Sequence, residues 1–183
     1  MAMPAPTFYT AEMVRDMPDD GNRYETVHGE LLVSPSPIRR HQWVVRELIL
    51  EIGMYLRRYP VGLLWHSPAD VTFGSDDTLV QPDVFVAPAG TGVTGKWEDL
   101  RHLLLVVEVL SPSTARHDRF TKRVRYQEAG VPLYWIIDPV SRSAEVWTPR
   151  ATQPVVERTR LEWRAPDAEE PFSITLESLL PTE

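Results

Sequence analysis

Eight consecutive residues, Leu103–Leu110 (LLLVVEVL), are apolar except for Glu108. A run of this length without alternation reads as a strand covered on both faces. A carboxylate inside it loses its water and needs a strong partner, because an unpaired buried charge is costly. A second run, Leu79–Val86 (LVQPDVFV), carries one acid of its own, Asp83. Two lone carboxylates on two apolar strands can face each other and share a divalent cation. That pairing is the main reason to expect an enzyme.

Around these strands the pattern predicts alternating elements. Thr10–Met17 reads as a short helix capped by Thr10. Tyr24–Val27 and Glu30–Ser34 flank His28-Gly29 as a hairpin does, and Ser34–Pro37 ends the second strand. From Arg39 to Tyr59, Val44, Val45, Leu48, Ile49, Ile52, Leu56 and Tyr59 recur at helical spacing until Pro60 stops them. Strands are expected at Leu63–His66, Asp70–Phe73, Leu79–Val86 and Leu103–Leu110, with a helical turn at Lys96–Leu100. A second helix starts at Ser113 or Arg116 and ends at Glu128, with Gly130 suited to the left-handed position beyond it. Leu133–Ile137 is another buried strand. Ala144–Thr148 and Val155–Trp163 alternate as half-exposed antiparallel strands, and Ile174–Leu180 reads as a docking helix. Strand, crossover helix and strand at Leu103–Ile137 make a parallel unit in an otherwise antiparallel sheet. The expected class is α/β with a mixed sheet, in one domain over residues 1–183.

Composition excludes several classes. With 183 residues, 43% hydrophobic and 25% charged, the chain can bury a sizeable core. It has no cysteine, hence no disulfide, thiolate zinc site or cysteine nucleophile. No H-x-x-x-H or similar metal spacing joins its histidines. Neither a signal peptide nor an apolar run of the ~20 residues a membrane span needs is visible, so a soluble cytoplasmic protein without a membrane partner is expected. Gly90–Gly95 (GTGVTG) lacks the G-K-[ST] of a phosphate-binding P-loop, which disfavours a hydrolase of small phosphate esters. The net charge of −7 argues mildly against a polyanion partner. Arg116, Arg119, Lys122, Arg123 and Arg125 against Asp118 nevertheless make one basic segment. It is compatible with gripping a phosphate backbone, or equally with a solvated helix face.

Hard oxygen ligands such as Asp83 and Glu108 suit Mg²⁺ or Mn²⁺, with waters and substrate phosphate completing the shell. No lysine stands two residues after Glu108; Leu110 does. Asp118, Lys122 and Tyr126, however, recur at four-residue intervals on one face of the following helix. Lys122 can therefore reach the same pocket from different backbone.

RYETVHGELLVSPSP (23–37), His41-Gln42, QPDVFV (81–86), VVEVLSPST (106–114), D-x-x-x-K-x-x-x-Y (118–126) and AGVPLYWIIDP (129–139) follow one another over nearly the whole chain. In this order and spacing they resemble the Uma2 family, restriction-endonuclease-like proteins of the PD-(D/E)XK nuclease superfamily. The resemblance implies a restriction-endonuclease-like mixed β-sheet flanked by helices, with antiparallel extensions. It implies a metal-dependent endonuclease acting on DNA, with Asp83 and Glu108 as metal ligands and Lys122 completing the catalytic set. Pro82-Asp83 matches the first half of the superfamily's motif; Leu110 departs from the second, and Lys122 fits a lysine displaced to the next helix. The superfamily often adds an acid from its first core helix, which here is Glu47 or Glu51.

Plainer roles compete. Asp83 can merely begin a strand, and Lys122 can form an i, i+4 pair with Asp118. Tyr126 is expected in the core or as a hydrogen-bonding support, Ser111, Ser113 and Thr114 as turn and cap residues, Asp138 in an Asp-Pro turn, and His41 as a surface histidine. The alternative to a nuclease is a non-catalytic module that kept the fold for assembly or nucleic-acid binding. A homodimer would suit cleavage of a duplex.

Overall fold

The computed structural model describes residues 7–181. At its centre lie β3 (Gly62–His66), β4 (Val84–Pro88), β5 (Leu105–Val109), β6 (Tyr134–Asp138), β7 (Ser143–Trp147) and β8 (Val155–Glu157), side by side in that order. β5 and β6 run parallel, and the other neighbours run antiparallel. The parallel pair is the one its sequence dictates, since a buried strand followed by a helix must cross over to re-enter the sheet.

That crossover has an unusual start. His117–Lys122 forms a π-helical turn, which continues as α3 (Arg123–Glu128). Gly130 ends it at φ 70°, donating to the Gln127 carbonyl while Val131 donates to that of Tyr126, both at 3.0 Å. Glycine takes this left-handed position without a Cβ penalty.

All five residues of β5 are buried. Beneath one face lies α2 (Arg39–Arg58), whose Val44, Val45, Leu48, Ile52 and Leu56 pack on Val84, Val86, Leu105 and Val107. Each such side chain contributes about 1.5–3 kcal/mol on burial. β9 (Arg160–Trp163), β10 (Phe172–Thr175) and α4 (Leu176–Leu179) join this layer. The other face carries Phe85, Val106, Tyr134 and Ile136 and is covered by Tyr126 of α3, with Val27 and Leu32 in the same apolar cluster. Those last two come from the hairpin of β1 (Arg23–Val27) and β2 (Glu30–Ser34). Its turn residues His28 and Gly29 both have positive φ, 51° and 79°, as a two-residue turn matched to strand twist requires. Before it, α1 (Ala11–Arg15) is capped by the Thr10 hydroxyl.

Four expectations fail locally. β4 begins at Val84, not Leu79: Pro82 offers no N–H to a ladder, and Leu79 and Val80 instead bridge to Thr26 and Val71. Asp70–Phe73 makes only that single bridge and is no strand. Val155–Trp163 divides into β8 and β9, which lie in different sheets. The tail adds β10 ahead of a helix that is only Leu176–Leu179. Among the described residues, no helix is long and apolar enough to cross a membrane.

Candidate active site

Val84 pairs with Val107 across β4 and β5. One further step of that register sets Asp83 opposite Glu108, on the sheet face that bears Phe85 and Val106. Their backbones and carboxylates interlock. Val109 N–H donates to Asp83 Oδ2 at 2.9 Å, and Asp83 N–H points at Glu108 Oε2 at 3.4 Å. Asp83 is 3% exposed and Glu108 1%.

Lys122 reaches this face from the π-helical turn. Its ammonium lies 2.9 Å from Glu25 Oε1, 3.0 Å from Glu108 Oε1 and 3.4 Å from Asp118 Oδ1. It is 1% exposed. Turns of this kind often mark functional sites, because the extra residue redirects side chains. Here both Asp118 and Lys122 are buried beneath the helix. One turn on, the Tyr126 hydroxyl donates to Glu108 Oε1 at 2.9 Å, and Tyr134 O–H holds the Asp118 carbonyl at 3.0 Å.

Three more residues complete the cluster, two of them, Glu25 and Arg23, not singled out in the sequence. Glu25, an inward position of β1, is wholly buried; its Oε1 accepts from Gln81 N–H at 2.7 Å as well as from Lys122. Arg23 places Nη1 3.0 Å from Asp83 Oδ1 and Nε 3.6 Å from Glu25 Oε2. His41 is 7% exposed, correcting its expectation as a surface residue; its Nε2 lies 2.9 Å from Asp83 Oδ2. His41 occupies the buried stripe of α2, ahead of Val44, Val45 and Leu48, and that position is the signal for it.

Glu47 and Glu51 stay outside. Both lie on partly exposed positions of α2, and Glu47 pairs with Arg46. A buried acid of the hairpin, Glu25, shares Lys122 with Glu108 instead. The basic segment is not an open patch either. Lys122 is buried, Arg119 binds Glu145 and Asp138, Arg123 lies over Trp147, and Arg125 bonds Thr78. Arg116 remains exposed. Thr114 accepts from Ser111 N–H, and Asp138 accepts from Val140 and Ser141 N–H, as turn residues do.

Charge shapes the chemistry. Burial alone would raise Asp83, but the His41 hydrogen bond and the Arg23, His41 and Lys122 charges hold it well below the usual carboxylate range. Burial pushes Glu108 well above its ordinary value; Lys122 opposes this, and Asp83, Asp118 and Glu25 add to it. Asp118 is raised by burial too. Burial disfavours the Lys122 ammonium, yet Glu108, Glu25 and Asp118 raise it above the ordinary lysine value. Four acids thus surround two permanent cations, Arg23 and Lys122. Glu25 Oε2 and Asp118 Oδ1 are buried without a hydrogen bond among the described residues. Such an oxygen-rich, cation-poor donor set fits a hard divalent ion. No three His, Asp or Glu side chains among the described residues form a ready metal cage. Two carboxylates suffice where waters and phosphate supply the remaining ligands.

A model of the family described as "Uma2: Putative restriction endonuclease" matches residues 11–177. The chain belongs to the Uma2 family. A structure from Anabaena variabilis ATCC 29413, described as a "putative nuclease belonging to DUF820", superposes with a TM-score of 0.72. It is 19% identical and covers 93% of this chain and 97% of its own, so the likeness shows a shared fold. No curated protein matches. In this Uma2 chain position 110 is a leucine, and the lysine beside Glu108 is Lys122. The π-helical turn brings it to that carboxylate.

Proposed function

We propose that this Uma2-family chain is a metal-dependent endonuclease that hydrolyses phosphodiester bonds in DNA in the cytoplasm, with Mg²⁺ or Mn²⁺ as cofactor. What supports this most is the placement of Asp83, one residue ahead of β4, against Glu108 of β5, with Lys122 bonded to Glu108. Asp83 and Glu108 would hold the ion. Bound there, it would polarise a phosphoryl oxygen and lower the pKa of water beside it.

The protein's own groups divide the remaining work. Lys122 is held charged by three carboxylates, so it balances and orients Glu108 and does not take a proton near neutral pH. Tyr126 fixes Glu108, and His41 fixes Asp83. A cleft of about 980 Å³, walled by α2, the hairpin and Ser111–Thr114, gives access to Asp83. One such site cuts one strand, so a homodimer suits a duplex substrate.

Plasmid nicking with Mg²⁺ or Mn²⁺ tests the reading. The wild-type protein should nick and Asp83→Ala should not; equal, undetectable cleavage by both would count against it. A non-catalytic module is favoured by one observation: donors already engage both Asp83 oxygens. Calorimetry with Mn²⁺ separates the two, since a module without a metal site gives no heat that Glu108→Ala removes.

A further inference from the structure

Two permanent cations enter the acid cluster, and they differ in access. Lys122 is sealed beneath the helix with a side chain 1% exposed, whereas that of Arg23 is 22% exposed. Arg23 and Asp83 line the cleft; Lys122 and Glu108 do not. A phosphate entering by this route meets the Arg23 guanidinium before any other charge of the cluster.

The hold on Arg23 is also loose. One nitrogen, Nη1, is shared among Asp83 Oδ1 at 3.0 Å, the Gln81 carbonyl at 3.3 Å and Ser67 Oγ at 3.4 Å. Nε stands 3.6 Å from Glu25 Oε2, beyond hydrogen-bond length. A guanidinium is a planar fork matched to two phosphate oxygens, and here much of the fork is uncommitted. Its position at Asp83 Oδ1 is a place a metal ion would take, and a divalent ion there would repel it.

We propose that Arg23 is the residue that binds the substrate's phosphodiester, and that its guanidinium holds the cation's place at Asp83 until a divalent ion enters. This rests on the nuclease reading of the same site. Ion entry supplies the countercharge Asp83 then lacks. The freed fork turns into the cleft and receives the non-bridging phosphate oxygens. Arg23 and the metal are therefore competitors on Asp83 and allies on substrate, so removing Arg23 moves the two affinities in opposite directions.

The test is Mn²⁺ affinity by calorimetry and water-proton relaxation, with binding of a fluorescein-labelled DNA oligonucleotide measured by anisotropy in Ca²⁺. Arg23→Ala should bind Mn²⁺ about tenfold tighter, since one competing charge is gone, and the oligonucleotide about tenfold more weakly. If Arg23→Ala does not fold, Arg23→Lys carries the test, keeping the charge without the fork. It should bind Mn²⁺ within about twofold of wild type and the oligonucleotide about tenfold more weakly. Unchanged or weaker Mn²⁺ binding by folded Arg23→Ala, or unchanged oligonucleotide binding by either variant, overturns the assignment of Arg23 alone. A wild-type protein that takes up no Mn²⁺ overturns the nuclease reading, and this inference with it.

Discussion

The Lys122 ammonium stands 3.0 Å from Glu108 Oε1, although 14 positions and the start of a helix separate the two residues. A lysine two residues along the same strand would project from the same sheet face. This chain puts Leu110 there and brings its cation back through a π-helical turn. The ion pair then couples the strand that carries the acid to the helix that covers it.

Replacing Lys122 tests that coupling. Lys122→Met leaves Glu25, Glu108 and Asp118 buried without their shared countercharge. Loss of one partner from a buried ion pair costs about 3–5 kcal/mol. The variant should unfold at correspondingly lower denaturant at pH 7 and recover part of the difference at pH 5, where the orphaned acids take up protons. An equal deficit at both pH values would mean that the lysine acts by packing alone.

Glu108 and Asp83 should leave opposite marks on the pH dependence of stability. The folded value of Glu108 is raised, so the native state binds the proton more tightly than the unfolded chain. Stability without metal therefore falls as pH rises from the unfolded glutamate value of about 4.3 toward the folded one. The Asp83 value is depressed, so its contribution is present above about 3.9 and is lost as pH falls below that. In EDTA, urea unfolding from pH 4.5 to 8 should show a smaller decline for Glu108→Gln than for wild type. Asp118, also raised, supplies the remainder. Identical slopes for the two proteins would contradict a raised Glu108.

Much of the fold is legible in the sequence, and the reasons are local. LLLVVEVL has no alternation, so β5 had to be central, and a lone acid there had to find partners. The α2 stripe, the His28-Gly29 turn and the Gly130 stop each follow from one residue's backbone or burial preference. What stayed hidden depended on distant pairing. Pro82 cuts the Leu79–Val86 run because a bridge to Thr26 and Val71 becomes available only in the folded chain. Glu25 looks like any acid in an alternating hairpin until the hairpin docks on Lys122. The basic segment reads as a patch because sequence does not reveal that Glu145, Trp147 and Thr78 will meet its arginines. His41 was visible in principle, since it shares the stripe of Val44, Val45 and Leu48.

The hairpin turn supports the site from a distance. Gly29 has φ 79°, and a Cβ there would lie 2.3 Å from the Phe8 ring. Phe8 is exposed and can swing aside, so backbone strain is what remains. Gly29→Ala should lower stability by about 1 kcal/mol. Because β1 carries Arg23 and Glu25, Mn²⁺ affinity should change in the same variant. Chemical denaturation and a metal titration on one preparation check both; a stable variant with altered metal binding would place the strain elsewhere.

His41 and Arg23 touch the same carboxylate, and their replacement should have opposite consequences. Arg23 brings a fixed charge that competes with a metal ion. His41 holds Asp83 Oδ2 through Nε2 at 2.9 Å, in a pocket where Val109 N–H reaches the same oxygen. With Asp83 held ionised, the shared hydrogen belongs to the imidazole. Its work is then to keep the carboxylate turned toward Glu108. Loss of such an orienting partner behind a metal ligand costs about 10–100-fold in metal affinity or activity. His41→Ala should therefore bind Mn²⁺ more weakly by that order and nick plasmid more slowly, while the Arg23→Ala protein binds the ion more tightly. His41→Gln, which retains a donor, should recover part of the loss. Should His41→Ala instead tighten Mn²⁺ binding as Arg23→Ala does, His41 would be a second competitor for the ion and not the group that aims Asp83.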